Sequence, residues 1–417
     1  MKKIQASIVT IGDELLIGQV IDTNSAWIAR QLNSAGVIVL RRVSVGDDAE
    51  AIERILDEES KEVDLILMTG GLGPTSDDIT KKVLCRYFQG KMVVNEAALE
   101  NVKYLFNEVF HRPVTPINLL QAEVPDVCEV IQNPRGTAPG MIFYKGEKMF
   151  VSMPGVPFEM EGMITGTVIP LVKKKWNLPL ILHRTLVTAG IGESALAEMI
   201  TDFEQSLPSS IRLAYLPSYG YVRLRLSAAG TDPESMTVEM DRIFGDLKRQ
   251  VKEYLVTDQD EPMEVVIGKL LSERNQTIST AESCTGGYIA HLITTVPGAS
   301  TYYEGSVISY SYNIKEKLLG VKGVTLLQHG AVSEETVIEM LKGVIEKVHT
   351  DFGIAVSGIM GPGGATEDKP VGTVWMAVGN QKDFLTQKLQ LRFNRKRNIE
   401  VTSTMALNLL RKFILTH

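Results

Sequence analysis

Residues 280 to 287, which read TAESCTGG, bring a hydroxyl, a thiol and a pair of glycines together. β-branched residues before this stretch indicate a strand, and the apolar spacing from Tyr288 to Thr295 indicates a helix. A serine or cysteine at such a junction lies beside the unpaired N–H groups of the first helical turn, which favour developing negative charge. The pattern predicts a nucleophile beside an oxyanion site. A serine cap with glycines that relieve crowding is an equally simple interpretation.

The candidate nucleophile needs a base, because a serine hydroxyl such as that of Ser283 reacts poorly unless a neighbour takes its proton. The histidines of the C-terminal part lie outside its glycine and hydroxyl motifs, so a Ser–His pair is not indicated. A Ser–Lys pair remains possible, and Lys315 is its natural lysine because its segment also carries Tyr310. A lysine acts as a base only if burial or nearby positive charge lowers its pKa. Local sequence alone also fits an exposed helix lysine at this position. Cys284 is the rival nucleophile, and neighbouring side chains diverge, so only one of the two faces a substrate.

A second group of chemically active residues lies in the first 170 residues. GDELLIGQVIDTNS (12–25) follows a predicted strand with several carboxylates, and GGLGPTSDDIT (70–80) follows another with glycines and two aspartates. Two further loops, NPRGTAPG (133–140) and MPGVPFEM (153–160), have similar composition. Glycine loops after strands let backbone N–H groups approach phosphate, and paired carboxylates can hold a hard divalent cation. Helix caps and tight turns are the alternative interpretation.

The elements that must position these residues alternate between strands and helices. The apolar strand 6–11, the helix that begins at Asp22, the strand 37–45, the helix 49–60 and the strand from Asp64 predict a mostly parallel sheet with helices on both faces. In such sheets, ligands bind beyond the carboxyl ends of the strands. The whole chain is predicted to be α/β multidomain, with the following parts: a domain over 1–170, a small α+β module over 171–256, a linker over 257–262 and an α/β domain over 263–417.

Composition restricts the class of protein. The 43 basic and 50 acidic residues, with a pI near 5.6, argue against a general nucleic-acid binder. The three cysteines lack the spacing of a zinc site or a disulfide framework. No apolar run approaches the roughly 18 residues of a membrane span, and the N-terminus turns polar too early for a signal peptide. We expect a cytoplasmic protein.

GDELLIGQVIDTNS followed by TGGLGPTSDDIT closely resembles the molybdopterin-binding-type domain of the CinA (competence/damage-inducible) family. The resemblance implies a three-layer α/β domain that hydrolyses ADP-ribose to AMP and ribose 5-phosphate with a divalent metal. It assigns the metal to Asp13, Asp77 and Asp78, and it assigns the substrate to the following residues: Asn24, Gly70, Gly71, Gly73, Thr75 and Gly155. The same fold in molybdenum-cofactor enzymes binds or adenylates pterin, and fold alone does not choose between these chemistries.

The middle of the chain, with TAGIGESALAEMI and RLAYLPSYGYVRLRL, resembles the small KH-like module of full-length CinA proteins. KH domains bind single-stranded RNA through a GXXG loop. In AGIGES the glycines at 190 and 192 are only one residue apart, so this loop is not a match. We therefore expect a spacer or a dimerisation element, and binding of nucleic acid is not expected.

Five ordered motifs carry the resemblance of residues 260 to 417 to the CinA C-terminal domain, which is similar to nicotinamide mononucleotide amidohydrolase (deamidase). They are TAESCTGG, SYSYNIKEKLLGV, VSGIMGPGG, KPVGTVW and the arginine of FNRKRNIE. Two departures are Tyr312, where the family usually has Asn, and Met360, where a small residue is usual. On spacing and resemblance, Ser283 is preferred to Cys284 as the nucleophile.

The resemblance implies acyl transfer without a metal. Ser283 attacks the carboxamide carbon, and Lys315, with Tyr310, passes the proton to the departing ammonia. First-turn N–H groups near Thr285 and Gly286 would hold the oxyanion. The phosphate and the rest of the nucleotide are assigned to the glycine loop and its neighbours: Ser357, Gly358, Gly361, Gly363, Thr373 and Arg397, with Arg395 as a weaker candidate.

Together these features predict a bifunctional hydrolase of pyridine nucleotides. Its ligands would be nicotinamide mononucleotide and ADP-ribose. The family also implies a homodimer, and no membrane partner is expected. One alternative is a pterin-binding or nucleotidyl-transferring protein of molybdenum cofactor assembly. Another is a non-catalytic accessory factor in competence or recombination, against which the acidic net charge of −7 counts.

Overall fold

The computed structural model describes residues 3–75 and 78–417. These residues form two compact units, Met1–His183 with Pro208–Arg212 and Ser227–Asp241, and Arg184–Leu207 with Leu213–Leu226 and Arg242–His417. Residues of the predicted middle module are therefore divided between both units.

The strands follow the chain in this order: β1 Gln5–Ile11, β2 Ile38–Val45, β3 Leu65–Thr69, β4 Met92–Val94, β5 Glu123–Pro125, β6 Glu129–Ile131, β7 Gly140–Lys145, β8 Lys148–Met153, β9 Leu180–Ala189, β10 Ile211–Ser218, β11 Tyr221–Gly230, β12 Leu255–Thr257, β13 Ile278–Glu282, β14 Tyr303–Ile308, β15 Phe352–Gly358, β16 Thr373–Gly379 and β17 Phe384–Gln390.

The α-helices are α1 Asp13–Leu16, α2 Asn24–Ser34, α3 Ala49–Glu62, α4 Thr80–Tyr87, α5 Glu96–Tyr104, α6 Pro116–Leu119, α7 Pro157–Met163, α8 Ile169–Lys175, α9 Glu193–Met199, α10 Thr201–Gln205, α11 Pro233–Gln250, α12 Met263–Arg274, α13 Tyr288–Thr294, α14 Tyr312–Leu319, α15 Gly323–His329, α16 Glu334–Val348 and α17 Arg395–Thr416.

The N-terminal sheet has the order β2-β1-β3-β8-β7-β6. Its first four strands are parallel, whereas β7 and β6 add as an antiparallel edge. β3 reads LILMT and is buried throughout, which is typical of a central parallel strand covered on both faces. One apolar cluster joins the sheet to α2, α7 and α8, and another joins it to α3 and α4. The predicted three-layer domain is confirmed.

The parallel strands bring the predicted glycine loops to one edge of this sheet. β1, β3 and β8 are neighbours and run in the same direction, so the loops that follow them leave from the same end. These loops begin at Gly12, Gly70 and Pro154. The fold thus gathers three of the singled-out motifs around one hollow.

The sheet of the middle stretch has the order β10-β11-β9-β12. Between β9 and β10 the chain forms two short helices, α9 and α10. The chain leaves the helical region at Ile200, where φ is −109° and ψ is 20°. Arg223 of β11 forms an ion pair with Asp260 (3.1 Å from Nε to Oδ1).

The C-terminal sheet has the order β14-β13-β15-β16-β17. β14, β13 and β15 are parallel, and β16 and β17 are antiparallel additions. α12, α13 and α17 pack on one face, and α14, α15 and α16 lie against the other. The predicted strand–helix junction is present, because β13 ends at Glu282 and α13 begins at Tyr288.

Within the described residues, none of the helices combines the length and the apolar character that crossing a membrane requires.

Candidate active sites

Ser283 and Lys315 meet at the carboxyl end of β13. Lys315 lies on α14, which begins after the cap Ser311, whose Oγ accepts a hydrogen bond from the Ile314 N–H. The side chain of Lys315 is 1% exposed, and its Nζ donates to Ser283 Oγ at 2.9 Å and to the Ser309 carbonyl at 2.5 Å. The lysine is thus buried, in contrast to the exposed helix lysine that local sequence also fits.

Burial changes the chemistry of this lysine. Loss of water around the ammonium group lowers the pKa of Lys315 from 10.5 to about 8. A lysine with this pKa is partly neutral near pH 7 and can accept a proton from a hydroxyl at hydrogen-bond distance. The pair therefore has the geometry and the basicity of a serine nucleophile with a lysine base.

Cys284 borders the same hollow as Ser283 and Lys315, but it is packed among apolar residues. It is 5% exposed and belongs to the apolar cluster between the sheet and α12, α13 and α17. Burial raises the pKa of its thiol to about 12, so the nucleophilic thiolate is scarce at neutral pH. These surroundings favour a packing role for the cysteine.

Glu282 was not singled out from the sequence. Its carboxylate is fully buried and accepts hydrogen bonds from the N–H groups of Gly287, Ile289 and Ala290, at 2.9–3.1 Å, and from the Thr285 hydroxyl at 2.7 Å. It thereby satisfies the orphan donors at the start of α13 and fixes the turn that carries Ser283. A carboxylate at the end of a strand and just before a predicted helix is the sequence signal that could have identified it.

A hollow of about 230 Å³ opens beside Ser283 and Lys315. Its wall includes Ser357, Gly358 and Gly363 of the predicted phosphate loop, together with Tyr310 and Arg395. Arg395 donates from Nη1 to the Gly361 carbonyl (2.9 Å) and from Nη2 to the Tyr310 hydroxyl (3.1 Å). The Ser357 hydroxyl donates to the Ala331 carbonyl at 2.6 Å. The structure therefore brings most of the predicted C-terminal residues to one hollow.

Two predicted residues, Arg397 and Thr373, point elsewhere. The guanidinium of Arg397 lies 3.7 Å above the ring of Tyr219 and pairs with Glu400 at 2.6 Å. Thr373 is 1% exposed, and its hydroxyl donates to the Pro370 carbonyl and the Gln390 side chain. Arg395 occupies the position that was expected for Arg397, because α17 begins at Arg395 and the two side chains leave its first turn in different directions.

Thr285 and Gly286 also lie outside this hollow. They line a neighbouring, shallower depression with Tyr288 and His291. The Thr285 hydroxyl bonds to Glu282, and the Gly286 N–H donates to the Ser283 carbonyl at 3.3 Å. The Gly286 N–H is therefore engaged within the turn, and an oxyanion site at these two residues stays a prediction.

The N-terminal domain has its own hollow, of about 500 Å³, at the edge where the glycine loops meet. Of the residues predicted there, Asn24, Gly70, Gly71, Gly73, Gly155 and Asp78 line it. Gly70 has a φ of +117°, and a Cβ there would lie 2.1 Å from the Ile11 carbonyl oxygen. Only glycine fits this position, which keeps the loop close to β1.

Asn24 ties two of the loops together. Its Nδ2 donates to the Gly155 carbonyl at 2.7 Å and to the Thr69 hydroxyl at 3.3 Å. Its Oδ1 is enclosed and has no hydrogen-bond partner among the described residues. An unpartnered acceptor on the wall of a hollow fits a ligand that brings a donor or a cation.

The three aspartates assigned to the metal differ in their position relative to the hollow. Asp78 accepts from both the N–H (2.9 Å) and the hydroxyl (2.6 Å) of Thr75, so Thr75 supports Asp78 and does not itself line the hollow. Asp13 and Asp47 exchange side-chain to backbone hydrogen bonds at 3.1 and 3.2 Å, and of these two only Asp47 lines the hollow. Asp77 lies outside the described residues.

The carboxylates that line the N-terminal hollow suit Mg²⁺ better than a metal ion whose ligands all come from the protein. Carboxylates of several residues line the hollow: Glu14, Asp22, Asp47, Asp78 and Glu159. Over 3–75 and 78–417, they do not gather into a group of three ready to hold an ion. Mg²⁺ commonly takes one or two carboxylates and completes its shell with substrate phosphates and water, so two of them, such as Asp47 and Asp78, are enough for such an ion.

Family models match the chain in three successive stretches. Residues 7–174 match the model described as probable molybdopterin binding domain, residues 183–257 the damage-inducible protein CinA KH domain, and residues 260–414 the CinA C-terminal domain.

Full-length relatives match as well. A CinA-like protein of Cytophaga hutchinsonii is 45% identical over 409 residues, which cover 98% of each chain. A CinA-like protein of Flavobacterium psychrophilum is 44% identical over 412 residues, which cover 99% of each chain. Because identity at this level extends over nearly the whole length, this chain belongs to the CinA family, with a molybdopterin-binding-like domain, a KH-like module and a CinA C-terminal domain.

Proposed function

We propose that the C-terminal domain deamidates nicotinamide mononucleotide to nicotinate mononucleotide and ammonia. The observation that carries this proposal is the buried Lys315 Nζ, 2.9 Å from Ser283 Oγ in a hollow edged by a glycine loop and Arg395. A lysine with a lowered pKa beside a serine hydroxyl is suited to acyl transfer from an amide.

The reaction begins when neutral Lys315 takes the proton of Ser283 as Oγ bonds to the carboxamide carbon. The C–N bond then breaks, and Lys315 returns the proton to the departing ammonia. Water, activated by the same lysine, attacks the ester and releases nicotinate mononucleotide. Tyr310, held by Arg395 at 3.1 Å, lies on the wall of the same hollow and assists proton movement at the mouth.

The oxyanion needs donors on the side of the hollow where Ser283 lies. The backbone N–H group of Cys284 is nearest along the chain, and a donor from the residue after the nucleophile recurs in serine hydrolases. Glu282 keeps this turn in place by occupying the N–H groups of α13. Arg395 supplies fixed positive charge for the nucleotide's phosphate.

The experiment is incubation of the full chain with nicotinamide mononucleotide and, separately, with nicotinamide riboside, which lacks the phosphate. We expect ammonia and nicotinate mononucleotide in equal amounts from the nucleotide and at least about tenfold lower kcat/KM for the riboside, as for loss of a charged hydrogen bond. Absence of ammonia from the nucleotide would contradict the proposal.

The rate should depend on pH through Lys315. Its pKa is lowered to about 8, and the base must be neutral, so kcat/KM is expected to rise as the pH increases from 6 towards 8 and then to level off. The measurement is initial ammonia release at several pH values, with nicotinamide mononucleotide well below KM. A rate that is flat from pH 6 to 9, or that falls over this range, would argue against lysine as the base.

The two arginines of α17 give a matched comparison. Arg395→Ala removes the cation that lines the hollow, so we expect KM for nicotinamide mononucleotide to rise at least about tenfold, the loss of one charge-assisted contact. Arg397→Ala removes a residue engaged with Glu400 and Tyr219 and should leave KM nearly unchanged. Steady-state kinetics of both variants check this. If KM rises in Arg397→Ala and not in Arg395→Ala, Arg397 is the residue that binds the phosphate.

We further propose that the N-terminal domain hydrolyses ADP-ribose to AMP and ribose 5-phosphate with a divalent cation. The glycine-edged hollow of about 500 Å³, with the unpartnered Oδ1 of Asn24 and several carboxylates, supports this second activity. Asp47 and Asp78, on the wall of the hollow, are the described residues that would hold the ion, and Asp13 supports Asp47 by exchanging hydrogen bonds with it. Asp77, which the resemblance also assigns to the metal, lies outside the described residues. When bound, the ion would neutralise phosphate charge.

This activity is tested by measuring AMP from ADP-ribose with Mg²⁺ and with chelator. We expect AMP only when the ion is present. The Asn24→Ala variant loses the link between two loops, so we expect it to bind ADP-ribose at least about tenfold more weakly than wild type does. Adenylation of pterin without cleavage of ADP-ribose would favour the cofactor-assembly alternative.

A further inference from the structure

Glu159 lies on the wall of the N-terminal hollow, in the first turn of α7. It belongs to the motif MPGVPFEM, and the residues that hold it belong to NPRGTAPG. Both motifs follow the pattern of phosphate loops, yet none of the residues proposed to hold the metal ion comes from either motif. The question is what a half-buried carboxylate does at this position.

A buried amide fixes one oxygen of this carboxylate. Asn133 is 2% exposed, and its Nδ2 donates to Glu159 Oε2 at 2.6 Å and to the Ala138 carbonyl at 2.9 Å. Asn133 is itself held in place, because its backbone carbonyl accepts a hydrogen bond from Asn101 Nδ2 at 2.8 Å. Among the described residues, no hydrogen bond is seen to the other oxygen, Oε1. The carboxylate is thus oriented by one oxygen and leaves the second for a ligand.

The loop also leaves space for this carboxylate. A Cβ at Gly136 would lie 2.1 Å from Cδ of Glu159 and 2.2 Å from its Oε2. No side chain can occupy position 136 while Glu159 keeps its place. Gly136 of NPRGTAPG therefore leaves the space that the Glu159 side chain occupies on the wall of the hollow.

Burial raises the pKa of Glu159, and the hydrogen bond from Asn133 opposes part of this effect. Several charged groups share the surroundings: Glu14, Asp22, Asp47 and Asp78 on the wall of the hollow, and Arg135, whose guanidinium lies over the ring of Phe158. A carboxylate with a raised pKa accepts a proton from water more readily than an ordinary one.

We infer that Glu159 is the general base of the N-terminal site, which takes a proton from the water that attacks a phosphoanhydride. This inference rests on the proposed hydrolysis of ADP-ribose. The water oxygen bonds to one phosphorus, the bridging P–O bond breaks, and its electron pair leaves with the second phosphate. The water's proton goes to Glu159 and then to solvent. Asn133 and Gly136 are positioning residues that aim the carboxylate.

The test compares Glu159→Gln with wild type and with Glu161→Gln, a matched change on the same helix. Glu159→Gln keeps an acceptor for Asn133 but removes the base, so we expect kcat for AMP formation to fall by about 10²- to 10⁴-fold. Glu161→Gln should keep the wild-type kcat. Thermal melting of both variants checks that they are folded.

Four further readouts distinguish a base from a metal ligand or a structural residue. ADP-ribose binding measured with chelator present, and Mn²⁺ binding measured alone, should both stay within about threefold of wild type in Glu159→Gln, because neither step needs proton transfer. The wild-type kcat should fall on the acid side as Glu159 becomes protonated, and this acid limb should be missing from the variant. Gly136→Ala should lower kcat as well, because the added methyl group displaces the carboxylate.

The outcomes separate the two levels of the proposal. If wild type forms no AMP from ADP-ribose, the proposed activity and this role of Glu159 both fail. If wild type forms AMP but Glu159→Gln keeps its kcat, the general-base assignment alone is overturned. Loss of Mn²⁺ binding in parallel with kcat would also overturn it, because Glu159 would then be a metal ligand.

Discussion

Ser283→Ala is expected to lower kcat/KM for ammonia release from nicotinamide mononucleotide by about 10³-fold or more, the usual cost of removing a nucleophile that acts with a base. The hydroxyl is the acceptor of the Lys315 hydrogen bond and lies at the end of β13, where Glu282 fixes the turn. Alanine at this buried position adds no bulk, so the protein should remain folded. The measurement is steady-state ammonia release, with circular dichroism as a check on folding.

Cys284→Ala is the matched control. The sulfur lies in an apolar cluster and its pKa is raised to about 12, so removing it should cost stability, on the order of 1 kcal/mol, and little activity. If Cys284→Ala is inactive and Ser283→Ala is active, the nucleophile is the cysteine.

Lys315→Met is expected to remove activity to a similar extent, about 10³-fold, because the base is lost while the shape of the buried stem is kept. Lys315→Arg should not restore it, since an arginine side chain does not give up its proton in proteins. The kinetics are those used for Ser283→Ala. Retention of more than about a tenth of the wild-type rate by Lys315→Met would exclude this lysine as the base, because general-base catalysis is worth more than that.

The same variant has a stability signature. Lys315 has a pKa of about 8 in the folded chain and 10.5 when exposed, so below pH 8 its buried charge costs about 3 kcal/mol. The unfolded chain binds more protons between pH 8 and 10.5, so this cost shrinks over that range. Lys315→Met carries no such cost, and its thermal midpoint relative to wild type should be highest near pH 7 and should decline towards pH 10. A gap independent of pH would contradict the burial of a titrating lysine.

The C-terminal domain shows how far sequence reasoning reaches. Local patterns identify the junction at Ser283, because a β-branched run, small residues and an apolar helical spacing are all short-range signals. Pairing with Lys315, 32 residues later, depends on α14 packing back against the sheet, and the family resemblance provided it. The role of Glu282 could have been inferred from its place between a strand and a helix start.

The arginines and Thr373 show what stays beyond sequence reasoning. Arg395 and Arg397 are both in the first turn of α17, and which one faces the hollow is decided by the tertiary contacts of Gly361, Tyr310 and Tyr219. Thr373 begins β16 and pairs with Gln390 of β17, whose side chain accepts a hydrogen bond from the buried Thr373 hydroxyl. Such choices depend on packing between distant segments, which a single sequence does not encode locally.

The N-terminal hollow is a similar case. Parallel strands predict that loops after β1, β3 and β8 converge, and this convergence is observed. The sequence singled out Asp13, but Asp47 is the partner that lines the hollow. The signal was present in GDDAE at the end of β2, a carboxylate at the same edge of the sheet.

Acyl transfer through Ser283 is tested most directly by adding hydroxylamine, with chelator present, to the wild-type chain and nicotinamide mononucleotide. Hydroxylamine competes with water for an acyl-enzyme, so the hydroxamate of nicotinate mononucleotide should form, and chelator should leave the rate of ammonia release unchanged. Ser283→Ala should give neither product. If chelator stops ammonia release, or if the variant still forms the hydroxamate, the Ser283–Lys315 mechanism is wrong.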